Sequence, residues 1–203
     1  MRYADDSNVY LASRTAAEHA FETIRNYLES ELKLQINPDK SAVARASERD
    51  FLGYGLIGRE RARLKVAAAS IQRLRRRVKD VLRQHRGVSV AAVIEALNPL
   101  LRGWTNYFRW AEVKNVWQEL DGWLRRKLRG RLWRQSKRPL ARARLLMKRG
   151  LIEERAWRSA TNGRGAWWNA GSSHMNAAFP KAFFDHMGLV SLVDTHRRLQ
   201  SQS

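Results

Sequence analysis

Between residues 61 and 160 the chain carries 27 Lys and Arg against 7 Asp and Glu, while its apolar residues recur at spacings of three and four. So many like charges have to stay in water. A three-and-four repeat lines apolar side chains along one stripe of a helix. The stretch is therefore expected to form basic amphipathic helices, with an apolar seam on one side and guanidinium groups on the other. Ile71, Leu74, Val78, Val81 and Leu82 make the first seam, and Arg73, Arg76, Arg77 and Arg83 fall opposite it. Gly87 ends that helix and Ser89 caps the next. Pro99 is placed in the first turn of a third helix, from Asn98 to Trp110, where its missing N–H costs nothing. A long helix from Val113 to Trp133 buries Val113, Val116, Trp117, Leu120, Leu124, Leu128 and Leu132. It displays a ridge of Arg125, Arg126, Lys127, Arg129, Arg131 and Arg134. Pro139 opens a fifth helix that Gly150 closes. Residues 161–177, rich in Gly, Asn and Ser, read as a loop carrying Trp167 and Trp168, and Pro180 and Gly188 bracket one last short helix.

The charge is confined to that stretch. Residues 1–60 hold 8 basic and 10 acidic side chains, and residues 161–203 hold 4 and 2, so the middle supplies the formal +20 of the chain. Mixed-sign helices are the usual solvated case; 27 against 7 points instead to a polyanionic partner, a nucleic acid. With 44% apolar residues the chain can bury a core, unlike a disordered polycation. The absence of Cys excludes a disulfide scaffold, a Cys-ligated zinc and a thiol nucleophile. No apolar run approaches the length of a membrane helix, and the first residues lack the apolar core of a secretory leader.

The first sixty residues read differently. Arg2–Ala4 and Val9–Ala12 flank Asp5-Asp6-Ser7-Asn8 as a short hairpin. Ser13 caps a helix from Arg14 to Leu32 whose seam is Ala17, Phe21, Ile24, Leu28 and Leu32. Leu34 and Ile36 alternate as a strand, Asn37-Pro38-Asp39-Lys40 turns, and Ser41–Arg45 returns. Phe51–Leu56 is another strand or tight hairpin whose two glycines imply close backbone approach. Adjacent carboxylates such as Asp5 and Asp6 raise each other's pKa. A hard divalent cation relieves that cost, and two-metal phosphoryl transfer needs such a group at a strand end. An Asp-Asp pair alone is more simply a turn.

The surrounding order of motifs changes that balance. Tyr3-Ala4-Asp5-Asp6, then Asn37-Pro38-Asp39-Lys40-Ser41, then Phe51-Leu52-Gly53-Tyr54, a basic helix and Leu97-Asn98-Pro99-Leu100-Leu101-Arg102-Gly103-Trp104-Thr105-Asn106-Tyr107-Phe108 succeed one another. Trp167-Trp168-Asn169-Ala170-Gly171-Ser172-Ser173-His174-Met175-Asn176 and Pro180-Lys181-Ala182-Phe183-Phe184 follow. The whole resembles the group II intron reverse transcriptase/maturase family from mid-palm to the C-terminus, the last two segments resembling the tail of bacterial members. The resemblance implies an α+β palm remnant over 1–64, a basic all-α thumb and maturase (X) domain over 65–145, and a helical tail over 146–203, predominantly helical in total. It implies that Asp5 and Asp6 belong to a catalytic Mg²⁺ site, that Lys40 approaches the leaving phosphate, and that Tyr3 and Phe51, Leu52, Gly53 and Tyr54 lie near primer and nucleotide. It also implies that Arg73, Arg76, Arg77, Arg83, Arg102, Arg125, Arg126, Arg129 and Arg134 meet nucleic acid. The partners so implied are group II intron RNA and an RNA/DNA primer–template, in a bacterial cytoplasm, with no membrane. The alternatives are a non-enzymatic basic nucleic-acid binder and a degenerate product of a truncated mobile element.

Aromatic residues divide in the same reading. Trp104, Tyr107, Phe108, Trp117 and Trp123 sit at helical spacing and suit a core; Trp110, Trp167 and Trp168 lie near loops or helix ends and suit base stacking. His174 forms no triad with Ser172 and Ser173. The third carboxylate and template path that the family supplies ahead of the Tyr-x-Asp-Asp motif are not among the 203 residues. The chain by itself is therefore expected to give no primer extension with Mg²⁺, and Mg²⁺ to bind tightly only in a completed site. A primer-extension assay on the purified chain checks this, and processive cDNA synthesis would refute it.

Overall fold

The computed structural model describes residues 2–3, 6–38, 40–58 and 61–202. It divides into two compact units, residues 1–67 and 68–203.

In the first unit, strand β1 (Arg2–Tyr3) pairs antiparallel with β2 (Asp6–Ser7), in the register Arg2 to Ser7 and Tyr3 to Asp6. Pairing thus closes nearer the tip than expected, as short hairpin connections favour, and Val9–Leu11 stay outside any strand. Ser13 caps helix α1 (Arg14–Ser30) as expected, its side chain accepting from the Ala16 N–H at 3.2 Å. The seam of α1 is not buried: Ile24 is 41% exposed, Leu32 49%, and no residue of the helix is buried. The described sheets of this unit are two-stranded ribbons, too small to cover a helix face. For the same reason Leu34 and Ile36 form no strand, and neither does Ser41–Arg45. The Asn37 carbonyl instead accepts from the Lys40 and Ser41 N–H groups, and Ala46–Glu48 make one 3₁₀ turn.

The Phe51–Leu56 segment splits. Phe51 and Tyr54 exchange both backbone hydrogen bonds, at 2.8 and 2.9 Å, around Leu52 (φ 52°) and Gly53 (φ 76°). Two successive positive φ angles match a type I′ turn, which suits Gly far better than Leu. Strand β3 (Tyr54–Ile57) follows and pairs antiparallel with β4 (Arg63–Val66), from Tyr54 opposite Val66 to Ile57 opposite Arg63. The close approach read from the glycines is present at Gly55: a Cβ there would stand 2.7 Å from Asp50 Oδ1 and 2.8 Å from Lys65 Cε.

The second unit is helical throughout its described residues: α2 (Ala68–Gln84), α3 (Val90–Tyr107), α4 (Asn115–Gln135), α5 (Pro139–Lys148), α6 (Glu153–Ala160), α7 (Ala166–Gly171), α8 (Ser173–Ala178), α9 (Lys181–His186) and α10 (Leu192–Ser201). The predominantly helical α+β expectation holds. Three details differ. The expected second and third helices are one: Ser89 caps α3, accepting from the Ala92 N–H at 3.2 Å, and Pro99 lies inside it. The ring removes one intrahelical bond, yet the flanking Val93, Ile94, Leu97 and Leu101 are fully buried and hold the helix through it. Next, residues 161–177 are not a loop. Asn169 fastens the chain around α7, its Nδ2 donating to the Arg164 carbonyl at 2.8 Å while its Oδ1 accepts from Asn162 Nδ2 at 2.7 Å. Last, α6 and α10 are additional helices.

The core runs along α3 and α4. Val93, Ile94, Leu97, Leu101, Trp117, Leu120, Leu124 and Leu128 are all at most 1% exposed. Trp117 sits at its centre, with the Trp104 ring edge-on at 5.3 Å and His196 of α10 stacked at 4.2 Å. Val113, Val116 and Leu132, expected inside, are half-buried. Helix α10 packs on both α3 and α4, and α7 packs on α4.

One carboxylate locks α10 in place. Asp121 of α4 is 4% exposed and accepts from the Leu192 N–H (2.9 Å), Ser191 Oγ (2.9 Å) and the Val193 N–H (3.3 Å). Burial pushes its pKa up, and those donors pull it back down with a smaller combined effect. Removing the acceptor would strand buried donors at the start of α10. Asp121→Ala is expected to lower unfolding free energy by roughly 3 kcal/mol, read as a shift in urea midpoint. An unchanged midpoint would show that the cap contributes little.

Candidate nucleic-acid interface

Of the residues expected at a polymerase centre, Asp5 lies outside the described residues, and so do the side chains of Tyr3 and Asp6. Lys40 is exposed. Phe51, Leu52, Gly53 and Tyr54 are brought together in the single tight turn described above. Among the described residues no group of three or more His, Asp and Glu is placed to hold a metal ion.

The cations of the second unit are better defined. On α2, Leu74 and Val78 are buried while Arg73, Arg76, Arg77 and Arg83 are exposed. Arg73 donates to Ser70 Oγ at 2.8 Å, and Arg83 pairs with Asp80 at 2.9 Å. Among the described residues, Arg83 is the one expected contact residue in an ion pair within 4 Å; the partners of the other ion-paired cations lie elsewhere. Arg102 of α3 and Arg134 of α4 are exposed, and Arg125 and Arg126 are half-buried.

Helix α4 corrects the expected ridge. Arg129 is only 8% exposed and donates from Nε to the Phe179 carbonyl at 2.9 Å. Burial, with a smaller contribution from Arg125, lowers its pKa to about 10. It secures the α8–α9 junction. Arg131 likewise turns inward. Its guanidinium donates to the carbonyls of Leu82, His85 and Val88, the last at 3.0 Å, just where α2 ends and leaves acceptors unfilled. Arg126 donates to the Trp167 carbonyl at 3.1 Å, and its guanidinium fills the space that a side chain at Gly171 would need, a Cβ there standing 2.7 Å from Cζ.

What remains outside is a cluster of like charge. Lys127 has its pKa lowered by burial first, then by Lys79, Arg134 and Arg126. The charges acting on Lys127 are thus all of its own sign. Sequence reasoning passed over Lys79 and Arg75. Both could have been found by extending the α2 row, since Arg75 and Lys79 stand four residues apart along the edge of the basic face.

The sequence model of the group II intron, maturase-specific domain matches residues 71–150. Over this stretch the chain is similar to the group II intron maturase-specific domain. The stretch takes in α3, α4, α5 and nearly all of α2, so the basic face of α2 and the Asp121 and Arg131 anchors fall within it. The resemblance read from the sequence is thereby supported over the maturase-specific part. No curated protein matches the sequence. No described helix is long and apolar enough to cross a membrane.

Two histidines outside the matched stretch tie the helical unit to pH. His174 (6% exposed) lies 5.7 Å from the Trp133 ring, and His196 (3% exposed) stacks on Trp117. Burial lowers both pKa values, reinforced by Arg155 for His174 and by Lys114 for His196, the latter partly offset by the Arg109 and Ala111 carbonyls. A depressed pKa means that the unfolded chain binds more protons, so this stabilisation is complete above the unfolded value and is lost as pH falls through the folded ones. The urea midpoint is expected to drop between about pH 7.5 and about pH 5.5, with His174→Gln or His196→Gln flattening the drop. A midpoint equally pH-dependent in both variants would assign the effect elsewhere.

Proposed function

We propose that this chain binds folded group II intron RNA through the cationic surface of α2 and α4 and stabilises its splicing-competent form. The observation that supports this most directly is the exposed arginine row of α2, with Lys79, Arg126 and Arg134 acting as like charges on Lys127. Like charges held together on rigid helices are costly in the free protein, and phosphates relieve that cost. Arg meets phosphate with two parallel hydrogen bonds, and each phosphate neutralised releases condensed counterions. A-form RNA is recognised chiefly by shape and backbone, so a rigid basic surface suffices without a base-reading motif. Because such a surface matches only the folded arrangement of phosphates, binding shifts RNA folding toward that arrangement by mass action. RNA-directed DNA synthesis, with a primer–template duplex as partner, joins this reading only where Asp5 and Asp6 meet a further metal-binding carboxylate.

Arg76 and Arg77 are exposed and have no described ion pair, so changing them tests binding without disturbing the core. Arg76→Glu with Arg77→Glu is expected to weaken intron RNA binding at least tenfold and to make the salt dependence shallower by about one unit of slope per lost contact. Gel-shift titration at two salt concentrations, with tRNA as competitor, measures both. Equal affinity of the unmodified chain for tRNA and intron RNA would reduce the reading to polycation attraction.

A further inference from the structure

Helix α7 presents two large aromatic side chains to water: Trp167 is 42% exposed and Trp168 50%. A short segment that merely plugged a gap would turn them inward. Here the inward positions are taken by Asn169 and Ala170, both completely buried. The Asn169 amide bonds to Asn162, Arg164 and Gly165, and Ala170 lies against α4 where Gly130 leaves room, a Cβ at Gly130 standing 3.6 Å from Ala170 Cβ. The tryptophans are therefore held outward on a fixed backbone.

Cations surround them. Arg126 Cζ lies 4.1 Å and Lys127 Nζ 4.3 Å from the Trp167 ring centre, Arg164 Cζ lies 5.5 Å from that of Trp168, and Lys127 also reaches Trp123 at 5.6 Å. None of the three cations has a described ion pair. An apolar protein partner would have to desolvate those charges without a counterion. An A-form duplex offers no free base face. An unpaired nucleotide offers both a π face and, next to it, a phosphate.

We infer that Trp167 and Trp168, with Arg126, Lys127 and Arg164, form a stacking platform for unpaired bases of single-stranded RNA. This rests on the RNA-binding reading above and adds that the chain grips an unpaired segment at α7 in addition to helical backbone at α2. The platform contacts base faces and phosphates, so it tolerates any sequence.

The test uses the full chain, unmodified and as Trp168→Ala, Trp167→Ala and Trp168→Phe, with three fluorescent probes: a short unstructured RNA strand, its RNA duplex and the DNA strand of the same sequence. Fluorescence anisotropy reads binding, and circular dichroism melting verifies folding. Trp168→Ala is expected to weaken single-stranded RNA binding roughly tenfold, with Trp167→Ala acting in the same direction and Trp168→Phe retaining most of the affinity. Duplex binding should change less than twofold. Unchanged strand binding in both alanine variants, equal loss on strand and duplex, or loss confined to the DNA strand would each overturn the platform. If the variants behave as the unmodified chain while intron RNA still binds tightly, the platform alone fails. If the unmodified chain ignores intron RNA, the parent reading fails and the platform with it.

Discussion

The second unit depends on guanidinium groups donating to backbone carbonyls. Only seven acidic side chains share residues 61–160 with 27 basic ones, so carboxylates cannot neutralise the arginines that packing draws inward. Helix α4 solves this with main-chain oxygens. Arg129 reaches Phe179, Arg131 reaches the frayed end of α2, and Arg126 reaches Trp167. Each ties α4 to a segment about forty or fifty residues distant, and those of Arg129 and Arg131 fill acceptors that a junction or helix end leaves open. Helix α10 is held the opposite way, by the buried carboxylate of Asp121 at its first turn. Cation to carbonyl on one side and anion to N–H on the other make α4 the strut against which the other helices are set.

That scheme sorts the arginines by task. Those of α2 stand off a seam of Leu74 and Val78 and stay in water, because one face of that helix is enough to bury. Those of α4 are distributed around a helix with neighbours on several sides, so some must enter the interior. The same sorting applies to the rings. Trp117 and Phe108 fill the core; Trp110, Trp167 and Trp168 remain outside, each with an arginine over its ring.

Much of this was legible in the residues. The seams of α2 and α4, the Ser13 and Ser89 caps, the span of α5 and the exposed placing of Trp167 and Trp168 all follow from local rules acting on neighbouring positions. What escaped depends on partners distant in sequence. No local signal marks Arg129 as buried, since its fate is decided by the Phe179 carbonyl fifty residues later. Pro99 reads as a helix start until the buried residues on both sides of it are seen to carry one continuous helix. The Gly-, Asn- and Ser-rich stretch reads as a loop until Asn169 and Ala170 are placed against α4. The seam of α1 was correctly periodic, but periodicity states what a helix offers to bury, and the described sheets of its unit are too small to take the offer. For the candidate site, the outward arginines of α2 could be counted in the sequence, whereas the joining of Lys79 to Lys127 needed two helices to be set side by side.

A guanidinium bound to a carbonyl is anchored, but it is not neutralised. The peptide oxygen is a dipole with no net charge, so Arg129 and Arg131 project nearly their full unit of positive potential into the surroundings even while they serve as struts. Had the fold recruited glutamates for the same task, each would have cancelled its arginine at long range. The architecture therefore keeps its electrostatic reach: a polyanion diffusing nearby is drawn in and oriented before any side chain touches it, and the rate of productive encounter owes something to groups that it will never meet.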